Sequence, residues 1–255
     1  MRTLIFRTKP AMGAAAGAHA AGLIRDAIAR RGQANIILAT GASQFEMLSA
    51  LVAAPGIDWS RVVMFHLDEY IGLPATHPAS FRKYLTERFV NMVPALKAVH
   101  FVEADRRPAA DECRRLGKLI AAHPIDAALV GIGENGHLAF NDPPADFDTD
   151  EPYIVVNLDA ACRRQQLGEG WFKTIDDVPT QAISMSIRQI MKSCSIVCTV
   201  PDARKARAVQ AALEGPVTNM CPSSILREHP RCRMFLDEPA AALLAPDGEY
   251  ERREE

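Results

Sequence analysis

Short apolar segments alternate with helical patterns along most of this 255-residue chain. Residues 36–39, Ile-Ile-Leu-Ala, contain no polar alternation, which is typical of a strand buried on both faces of a sheet. The segments between such strands carry apolar residues at helical spacing. The alternation of strands with helices therefore predicts an α/β fold, with a mainly parallel sheet and helices on both faces.

Eight strands and six helices are predicted. The strands are 4–6, 36–39, 62–67, 99–102, 127–132, 153–156, 196–200 and 234–236. The helices lie near 11–30, 44–53, 80–92, 109–121, 202–213 and 223–228. No repeat and no linker rich in Gly, Ser or Pro divides the chain, so one domain over residues 1–255 is predicted. The charged residues 247–255 are expected to fray.

The overall charge limits the kinds of partner. The formal net charge of −2 argues against a broad nucleic-acid surface and leaves any anion site to a few cations and backbone N–H groups. No segment approaches the roughly 20 apolar residues of a membrane span. The first apolar run is also too short for a signal peptide. We therefore expect a cytoplasmic protein with no nucleic-acid or membrane partner.

The cysteine pattern bears on metal binding. None of the six cysteines forms a C-x-x-C pair, and Cys194 and Cys198 are four residues apart. A structural zinc site would use a tighter and repeated spacing. The pattern therefore predicts reduced thiols and no metal site.

Ligands of an open α/β sheet bind beyond the carboxyl ends of its strands, so the residues after each strand are candidates. After strand 36–39 the chain reads Thr40-Gly41-Ala42-Ser43, and Ser43 with Glu46 has the spacing of a capping box. Gly41 permits a tight turn and a close approach of the backbone. Such a turn at a helix N-terminus suits a phosphate group, although an ordinary capped turn shows the same pattern.

Two adjacent carboxylates, Asp68 and Glu69, follow strand 62–67. Either residue type is suited to act as a general base. Neighbouring residues on a strand point to opposite faces, so we expect one to do chemistry and the other to have a structural role. Acidic turns are common and often simply solvated, so this pair alone assigns no function.

A denser polar cluster follows strand 127–132. Gly133 and Gly136 precede His137, and Asp142 comes five residues after the histidine. Histidine titrates near neutral pH, and a carboxylate or amide beside it fixes its tautomer. A single histidine is more often structural than catalytic, but the glycines and polar residues at the end of a buried strand favour catalysis here.

Three segments of the chain match the pattern of a known family. They are residues 65–74, Phe-His-Leu-Asp-Glu-Tyr-Ile-Gly-Leu-Pro, residues 77–80, His-Pro-Ala-Ser, and residues 131–143, which include Gly-His-Leu-Ala-Phe-Asn. Together they resemble the glucosamine-6-phosphate deaminase family, within a wider group that includes the 6-phosphogluconolactonases. The resemblance runs in order from about residue 36 to residue 239. A lactonase is expected to carry a Ser-Leu-Phe-Pro-type run after its Gly-His, so Ala-Phe-Asn favours the deaminase side.

The resemblance implies a Rossmann-like fold and a specific reaction. Glucosamine 6-phosphate and water would give fructose 6-phosphate and ammonia by a metal-independent aldose–ketose isomerisation, without a cofactor. Asp68 would be the base that moves a proton from C2 to C1 of the opened sugar. His137 would assist opening of the pyranose ring, oriented by Asn135 and Asp142.

The resemblance also implies a phosphate site. Thr40, Gly41, Ala42 and Ser43 would cradle the phosphate, with Lys205 as a cation. Lys205 lies in the first turn of a predicted helix, where its charge opposes the helix dipole. A surface lysine with no ligand would be better placed at the other end, so a ligand role is favoured.

The chain departs from the family beside the histidine. Many relatives carry Asp and Glu at the positions of Asn135 and Asp142. Asn135 can still accept a hydrogen bond from the imidazole of His137, but it carries no charge and should stabilise an imidazolium less. Asp142 keeps the charge and reaches about one methylene less far.

A second departure lies in a mobile lid that the resemblance implies near residues 158–180. The family places a phosphate-binding arginine just before an aromatic pair there, and that register holds Glu169, whose carboxylate would repel a phosphate. We therefore expect Arg163 or Arg164 to take the role, with Arg164 assigned to the phosphate site, or the lid to read another substrate. Trp171 is expected to be either a lid anchor or a packed core aromatic.

Three functions remain open at this point. The first is the deaminase. The second is a related enzyme, either a 6-phosphogluconolactonase or an isomerase of another amino-sugar phosphate. The third is a non-catalytic sugar-phosphate sensor, against which Asp68 and His137 argue because phosphate binding requires neither. A small-molecule sugar phosphate is the expected partner in each case, and the resemblance allows a homo-oligomer.

Overall fold

Eight parallel strands form the central sheet in the computed structural model of the protein, which describes residues 1–253. In chain order, the strands are β1 (Arg2–Phe6), β2 (Ala34–Leu38), β3 (Val62–His66), β4 (Asp68–Tyr70), β5 (Ala98–His100), β6 (Ala127–Val130), β7 (Tyr153–Asn157), β8 (Gln181–Met185), β9 (Ser195–Val200), β10 (Cys232–Asp237) and β11 (Glu251–Arg253). The large sheet has the order β11-β1-β10-β9-β6-β2-β3-β5, and its paired neighbours are all parallel. The predicted parallel sheet is confirmed.

Helices cover both faces of this sheet. They are α1 (Lys9–Arg31), α2 (Phe45–Ala53), α3 (Phe81–Arg88), α4 (Ala109–Ala121), α5 (Ala160–Gly168), α6 (Ile187–Met191) and α7 (Ala206–Glu214). One apolar cluster joins α1, α2 and α3 to one face, and another joins α4, α6 and α7 to the other face. The α/β architecture is therefore confirmed. No helix within residues 1–253 has both the length and the apolar character needed to cross a bilayer.

A second, three-stranded antiparallel sheet was not predicted. It has the order β4-β8-β7. Of its strands only β7 was predicted, because β4 is three residues long and β8 contains polar residues. The sheet lies beside the end of β3, since β4 begins two residues after β3 ends. Helices α5 and α6 were also missed.

The C-terminal prediction was wrong within the described residues. Instead of fraying, Glu251–Arg253 forms β11, which pairs in parallel with β1. The side chains of Arg2 and Glu251 form an ion pair of 2.5 Å across this edge. Charged side chains are common on edge strands, where they oppose pairing with another chain. Residues 254–255 of the predicted tail lie outside the described part of the chain.

Two glycines of α1 let α2 pack closely against it. A Cβ on Gly13 would lie 2.2 Å from the Cβ of Glu46, and one on Gly17 would lie 2.6 Å from the Cβ of Ala50. Any side chain at either position would therefore push α2 away. This contact holds the N-terminus of α2 at the carboxyl end of β2.

The chain reverses its direction of travel across the sheet between β2 and β6. From β2 the chain moves to β3 and then β5 on one side, whereas β6, β9 and β10 follow one another on the other side. The carboxyl ends of β2 and β6 therefore border a crevice, which is the usual ligand position in open α/β sheets.

Candidate functional site

A cavity lies at this crevice. It is lined by the loops that follow β2, β3, β6 and β9, by the start of α1 and by the last turn of α5. The lining includes Thr40, Gly41, Ala42, Ser43, Asp68, His137 and Lys205 from the predicted site. Residues that are far apart in the sequence therefore meet at one place, as the positions after successive strands predicted.

The loop after β2 forms the floor of the cavity. Gly41 has φ of 96°, a conformation that residues with a side chain rarely adopt. The hydroxyl of Tyr84 donates to the carbonyl of Gly41 at 2.9 Å, which fixes the turn. The predicted capping box is wrong, because a 3₁₀ turn, Ala42–Gln44, precedes α2 and no side chain caps that helix.

Gln44, beside Ser43, connects this turn to two strands of the sheet. Its side chain is fully buried, and its Oε1 accepts a hydrogen bond of 2.9 Å from the hydroxyl of Thr199. Its amide nitrogen lies 3.4 Å from the carbonyl oxygens of Val130 and Thr199. The start of α2 is thereby attached to the ends of β6 and β9.

Three cations line the cavity near this loop: Lys9, Arg204 and Lys205. Lys205 ends a 3₁₀ turn directly before α7, as predicted, and is only 8% exposed. Burial lowers the pKa of Lys205, while the carboxylates of Glu134 and Glu169 act in the opposite direction. Arg204 pairs with Asp202 at 3.2 Å and with Glu134 at 3.8 Å, and Lys9 pairs with Glu46 at 3.5 Å. The loop after β2 and the three cations form a cation-lined end of the cavity, where an anion can bind.

Asp68 lines the same cavity and is 5% exposed. Burial, with a smaller contribution from the neighbouring charge of Glu69, raises the pKa of Asp68 to about 8. A carboxyl group with such a pKa gains and loses a proton near neutral pH, which suits a general base.

Glu69 has the structural role expected of one member of the pair. Its carboxylate is completely buried and accepts hydrogen bonds from the backbone nitrogens of Phe81 at 3.2 Å and Arg82 at 2.9 Å. The hydroxyl of Ser80 donates to it at 2.8 Å. These donors form the N-terminus of α3, so Glu69 holds that helix against β4.

His137 pairs with Asp142 through a contact of 3.0 Å between Nδ1 and Oδ1. Asn135 makes no hydrogen bond with the imidazole, although its side chain was expected to be able to accept one from the ring. Its Oδ1 accepts from the backbone nitrogen of His137 at 3.1 Å, and its amide donates to Asp142 Oδ1 at 3.0 Å. Asn135 therefore orients the histidine indirectly, through the backbone and through Asp142.

The backbone around His137 permits this geometry at two positions. A Cβ on Gly133 would lie 2.3 Å from Nε2 and Cε1 of His137, so the Nε2 edge of the ring occupies space that only glycine leaves open. Ala139 has φ of 55°, which is uncommon for a residue with a side chain. Strained conformations of this kind cluster at functional sites.

One trio of possible metal ligands occurs within residues 1–253. Donor atoms of His137, Asp142 and Cys162 lie within 4.8 Å of one another. The imidazole hydrogen-bonds to Asp142, and burial raises the pKa of the Cys162 thiol far above its usual value. Metals bind the thiolate form, so the trio fits a hydrogen-bonded cluster better than a metal centre.

Arg164, which was assigned to the phosphate, does not line the cavity. It is exposed and borders a neighbouring groove with Gln165, Gly168 and Arg204. Arg163 is also turned away, since its guanidinium donates to the carbonyls of Ile175 at 2.5 Å and Val178 at 3.0 Å. Neither arginine replaces the cation that the family pattern places in this segment.

Glu169 lines the cavity instead. Burial raises the pKa of Glu169, whereas Lys205, Arg204 and a hydrogen bond with Gln165 act to lower it. Of the aromatic pair, Trp171 is 44% exposed and so is not a core residue. Phe172 is the buried member, and its ring centroid lies 5.7 Å from that of Tyr70.

Several lining residues were not singled out from the sequence: Lys9, Glu134, Gln165, Gln166 and Arg204. Lys9 follows β1 and begins α1, so the search after each strand would have found it if applied to the first strand. Arg204 precedes Lys205 in the same turn. Nothing in the local sequence marks Gln165 or Gln166, because the position of α5 depends on distant contacts.

Comparison with known proteins yields consistent relatives. A family described as glucosamine-6-phosphate isomerases/6-phosphogluconolactonase matches residues 7–234. The glucosamine-6-phosphate deaminase of Lactobacillus delbrueckii subsp. bulgaricus is 35% identical over 209 residues, covering 81% of this chain and 86% of that protein. The deaminase of Listeria monocytogenes serotype 4a is 36% identical over 214 residues, covering 84% and 89%.

Solved structures show the same relationship. A monomeric glucosamine-6-phosphate deaminase superposes with a TM-score of 0.88 and 28% identity, covering 95% of this chain and 100% of that protein. The 6-phosphogluconolactonase of Trypanosoma brucei has a TM-score of 0.78 and 18% identity, covering 96% and 99%. At that lower identity, the likeness concerns the fold alone.

Proposed function

The chain belongs to the glucosamine-6-phosphate isomerase/6-phosphogluconolactonase family, and we propose that it is a deaminase converting glucosamine 6-phosphate and water to fructose 6-phosphate and ammonia. One observation carries this proposal. A carboxyl group with a pKa of about 8 and a histidine held by Asp142 line one cavity whose other end is lined by three cations. A base, an acid and an anion site together suit proton transfer on a sugar phosphate.

The phosphate would bind at the cation-lined end. Ala42 and Ser43, at the start of the 3₁₀ turn that leads into α2, line the cavity there, and the N-terminus of a helix favours an anion. Lys205, Arg204 and Lys9 are the cations that would pair with the phosphate. The sugar would then extend toward Asp68 and His137.

His137 would open the pyranose ring. Ring opening requires a proton to leave the hydroxyl on C1 and a proton to reach the ring oxygen. An imidazole can perform such a transfer when one of its nitrogens is fixed, and Asp142 fixes Nδ1 of His137. The Nε2 edge, beside Gly133, is the part of the ring that would act.

Asp68 would then move the proton. Its carboxylate takes the hydrogen of C2 as a proton and returns it to C1, while the aldehyde oxygen becomes a hydroxyl and the amine on C2 becomes an imine. Water adds to this imine, and the carbinolamine loses ammonia to leave the ketone of fructose 6-phosphate. Atoms and charges balance without a cofactor.

The segment from Asp159 to Val178, with α5 at its start, would act as the lid. The last turn of α5 contributes Gln165, Gln166 and Glu169 to the cavity. Glu169 faces the cation-lined end of the cavity, so this lid would accept a phosphate less readily than a lid with an arginine there.

We assign the enzyme to the cytoplasm, where phosphorylated sugars are retained. Light scattering would measure whether it forms a homo-oligomer.

The test is a substrate comparison with the purified protein. Incubation with glucosamine 6-phosphate should release ammonia and fructose 6-phosphate in equal amounts. Hydrolysis of 6-phosphogluconolactone without release of ammonia would instead make the protein a lactonase. Thermal stabilisation by glucosamine 6-phosphate without any turnover would make it a sensor.

A further inference from the structure

The N-terminal turn of α5 is hydrogen-bonded directly to the residues around His137. The backbone nitrogen of Asp159 donates to Asp142 Oδ2 at 3.0 Å. The two side-chain oxygens of Asp159 have different partners. Oδ1 caps α5 by accepting from the backbone nitrogen of Cys162 at 2.5 Å, and Oδ2 accepts from the amide of Asn135 at 3.3 Å.

Asp142 consequently receives hydrogen bonds from two parts of the chain. His137 and Asn135 donate from the turn after β6, whereas the backbone of Asp159 donates from the N-terminus of α5. Burial alone would raise the pKa of Asp142, but these hydrogen bonds and the nearby imidazole hold it below its ordinary value. One of the three donors around this carboxylate therefore belongs to the N-terminus of α5.

We propose that Asp159 is a positioning residue for the His137–Asp142 pair, and that the pair is held in its working geometry only while α5 is docked. This inference rests on the proposed function, because it assigns His137 a part in the reaction. An imidazole that rotates with a loosely held carboxylate loses the alignment on which proton transfer depends.

The other end of α5 has separate attachments. Gln165 Oε1 accepts from the backbone nitrogen of Glu134 at 2.8 Å, and the hydroxyl of Tyr70 donates to Gln166 Oε1 at 2.6 Å. A change at Asp159 therefore leaves the far end of the helix in place. This separation allows the N-terminal contacts to be tested without releasing the whole segment.

Two substitutions at one position isolate the backbone hydrogen bond to Asp142. Asp159→Ala removes both side-chain oxygens and keeps the N–H, whereas Asp159→Pro removes the oxygens and the N–H. Proline fits here because Asp159 has φ of −71°, close to the value that its ring imposes. The preceding residue, Leu158, directly follows β7, where an extended conformation suits a residue before proline.

We expect kcat of Asp159→Pro to be about tenfold below that of Asp159→Ala, with a similar KM, because a hydrogen bond to a charged group is lost. The acidic limb of kcat/KM should also move upward by roughly one pH unit. Loss of a donor raises the pKa of Asp142, so the carboxylate protonates at higher pH. The other titratable groups nearby, His137, Cys162 and Asp68, are the same in the two variants. Both variants also lack the Asp159 carboxylate, so they differ only in the backbone N–H.

A second readout does not depend on turnover. The Nδ1 proton of His137, followed by NMR, should exchange with water faster in Asp159→Pro than in Asp159→Ala. Equal exchange and equal kcat in the two variants would overturn the inference. Absence of ammonia release by the wild type would instead refute the proposed function, and the NMR comparison would still decide the positioning role.

Asp159→Asn keeps the test valid if the proline variant does not fold. Asparagine retains the cap and the N–H but places an NH₂ group opposite the amide of Asn135, where two donors face each other. We expect kcat to fall at least about threefold while the melting temperature stays within about 3 °C of the wild type. Wild-type kcat in this variant would remove Asp159 from the positioning role.

Discussion

The two walls of the cavity are held in place in different ways. The sheet wall consists of the loops after β2, β3, β6 and β9, which continue from strands buried on both faces. The α5 wall, residues 159–178, is attached to the rest of the protein through side chains such as Gln166, whose Oε1 accepts from Tyr70 at 2.6 Å. The buried strands fix the positions of the loops on the sheet wall, whereas the α5 wall is positioned by a few side-chain and backbone hydrogen bonds.

The walls also differ in charge. The sheet wall supplies the cations Lys9, Arg204 and Lys205 together with the acidic residues Asp68, Glu134 and Asp202 and with His137. The α5 wall contributes Glu169, which faces these cations and carries the same sign of charge as a substrate phosphate. We infer that substitutions of the reacting groups on the sheet wall act mainly on kcat, and that substitution of Glu169 on the α5 wall acts mainly on KM.

Gly133→Ala is expected to have the largest effect. A Cβ at this position would lie 2.3 Å from the ring of His137, which Asp142 holds from the other side. We expect the ring to be displaced and kcat to fall at least about a hundredfold, because proton transfer depends on its alignment. Steady-state measurement of ammonia release checks this prediction.

Gly168→Ala is the matched control on the α5 wall. Nothing lies within 4 Å of a Cβ built on Gly168, which is the last residue of α5. Alanine there should leave kcat unchanged and keep or slightly raise the melting temperature. If both glycine variants kept normal turnover, the rigid-wall account of His137 would be wrong.

Asp68→Asn should stabilise the protein increasingly as pH rises. The native carboxyl titrates near pH 8, whereas the unfolded group titrates near 3.8. Between these values the native state holds a proton that the unfolded chain has lost, so the free energy of unfolding falls as pH rises. Asparagine lacks this slope, and we expect its melting temperature to exceed that of the wild type by about 4 °C or more at pH 9.

The same comparison at pH 5 provides the control. The gap in melting temperature should be much smaller there, because the native carboxyl is protonated and little of the penalty has developed. A gap that is constant from pH 5 to pH 9 would show that burial does not raise the pKa of Asp68.

Glu169→Gln should have the smallest effect and act on KM. Removing one like charge that faces the phosphate should lower KM by about fivefold at neutral pH, with kcat unchanged. The difference in KM between the wild type and Glu169→Gln should become smaller at lower pH. Burial raises the pKa of Glu169, and a protonated Glu169 no longer repels the phosphate. Glu87→Gln, at a residue whose side chain is 61% exposed on α3, is the control. An unchanged KM in Glu169→Gln would remove the α5 wall from substrate selection.

The sheet wall was predictable from sequence because its residues follow strands. Apolar runs identify the strands, and the rule that ligands bind at their carboxyl ends then brings Thr40, Asp68 and His137 together. The prediction failed where position depends on contacts distant in sequence. The amide of Asn135 contacts Asp142 and Asp159 instead of the imidazole, because α5 packs against that turn.

The family resemblance predicted a lid near residues 158–180 with Glu169 in the phosphate-facing register, but the local sequence did not predict the helix or the contacts of its side chains. Helix α5 has few apolar residues. Its N-cap, Asp159, accepts a hydrogen bond from the backbone nitrogen of Cys162, but no Glu or Gln stands at that third position to complete a capping box that the sequence would reveal. Arg163 and Arg164 are equivalent by charge, yet one donates to the carbonyls of the segment that follows α5 and the other is exposed. Only the packing of α5 against β4 and the turn after β6 separates these roles.

Turnover of glucosamine 6-phosphate by Asp68→Asn, measured beside the wild type near pH 8, tests the central claim most directly. The wild type should release ammonia and fructose 6-phosphate in equal amounts, and the variant should be about a thousandfold slower while remaining folded. A variant that retained more than about a tenth of the wild-type rate would contradict the assignment of Asp68 as the base.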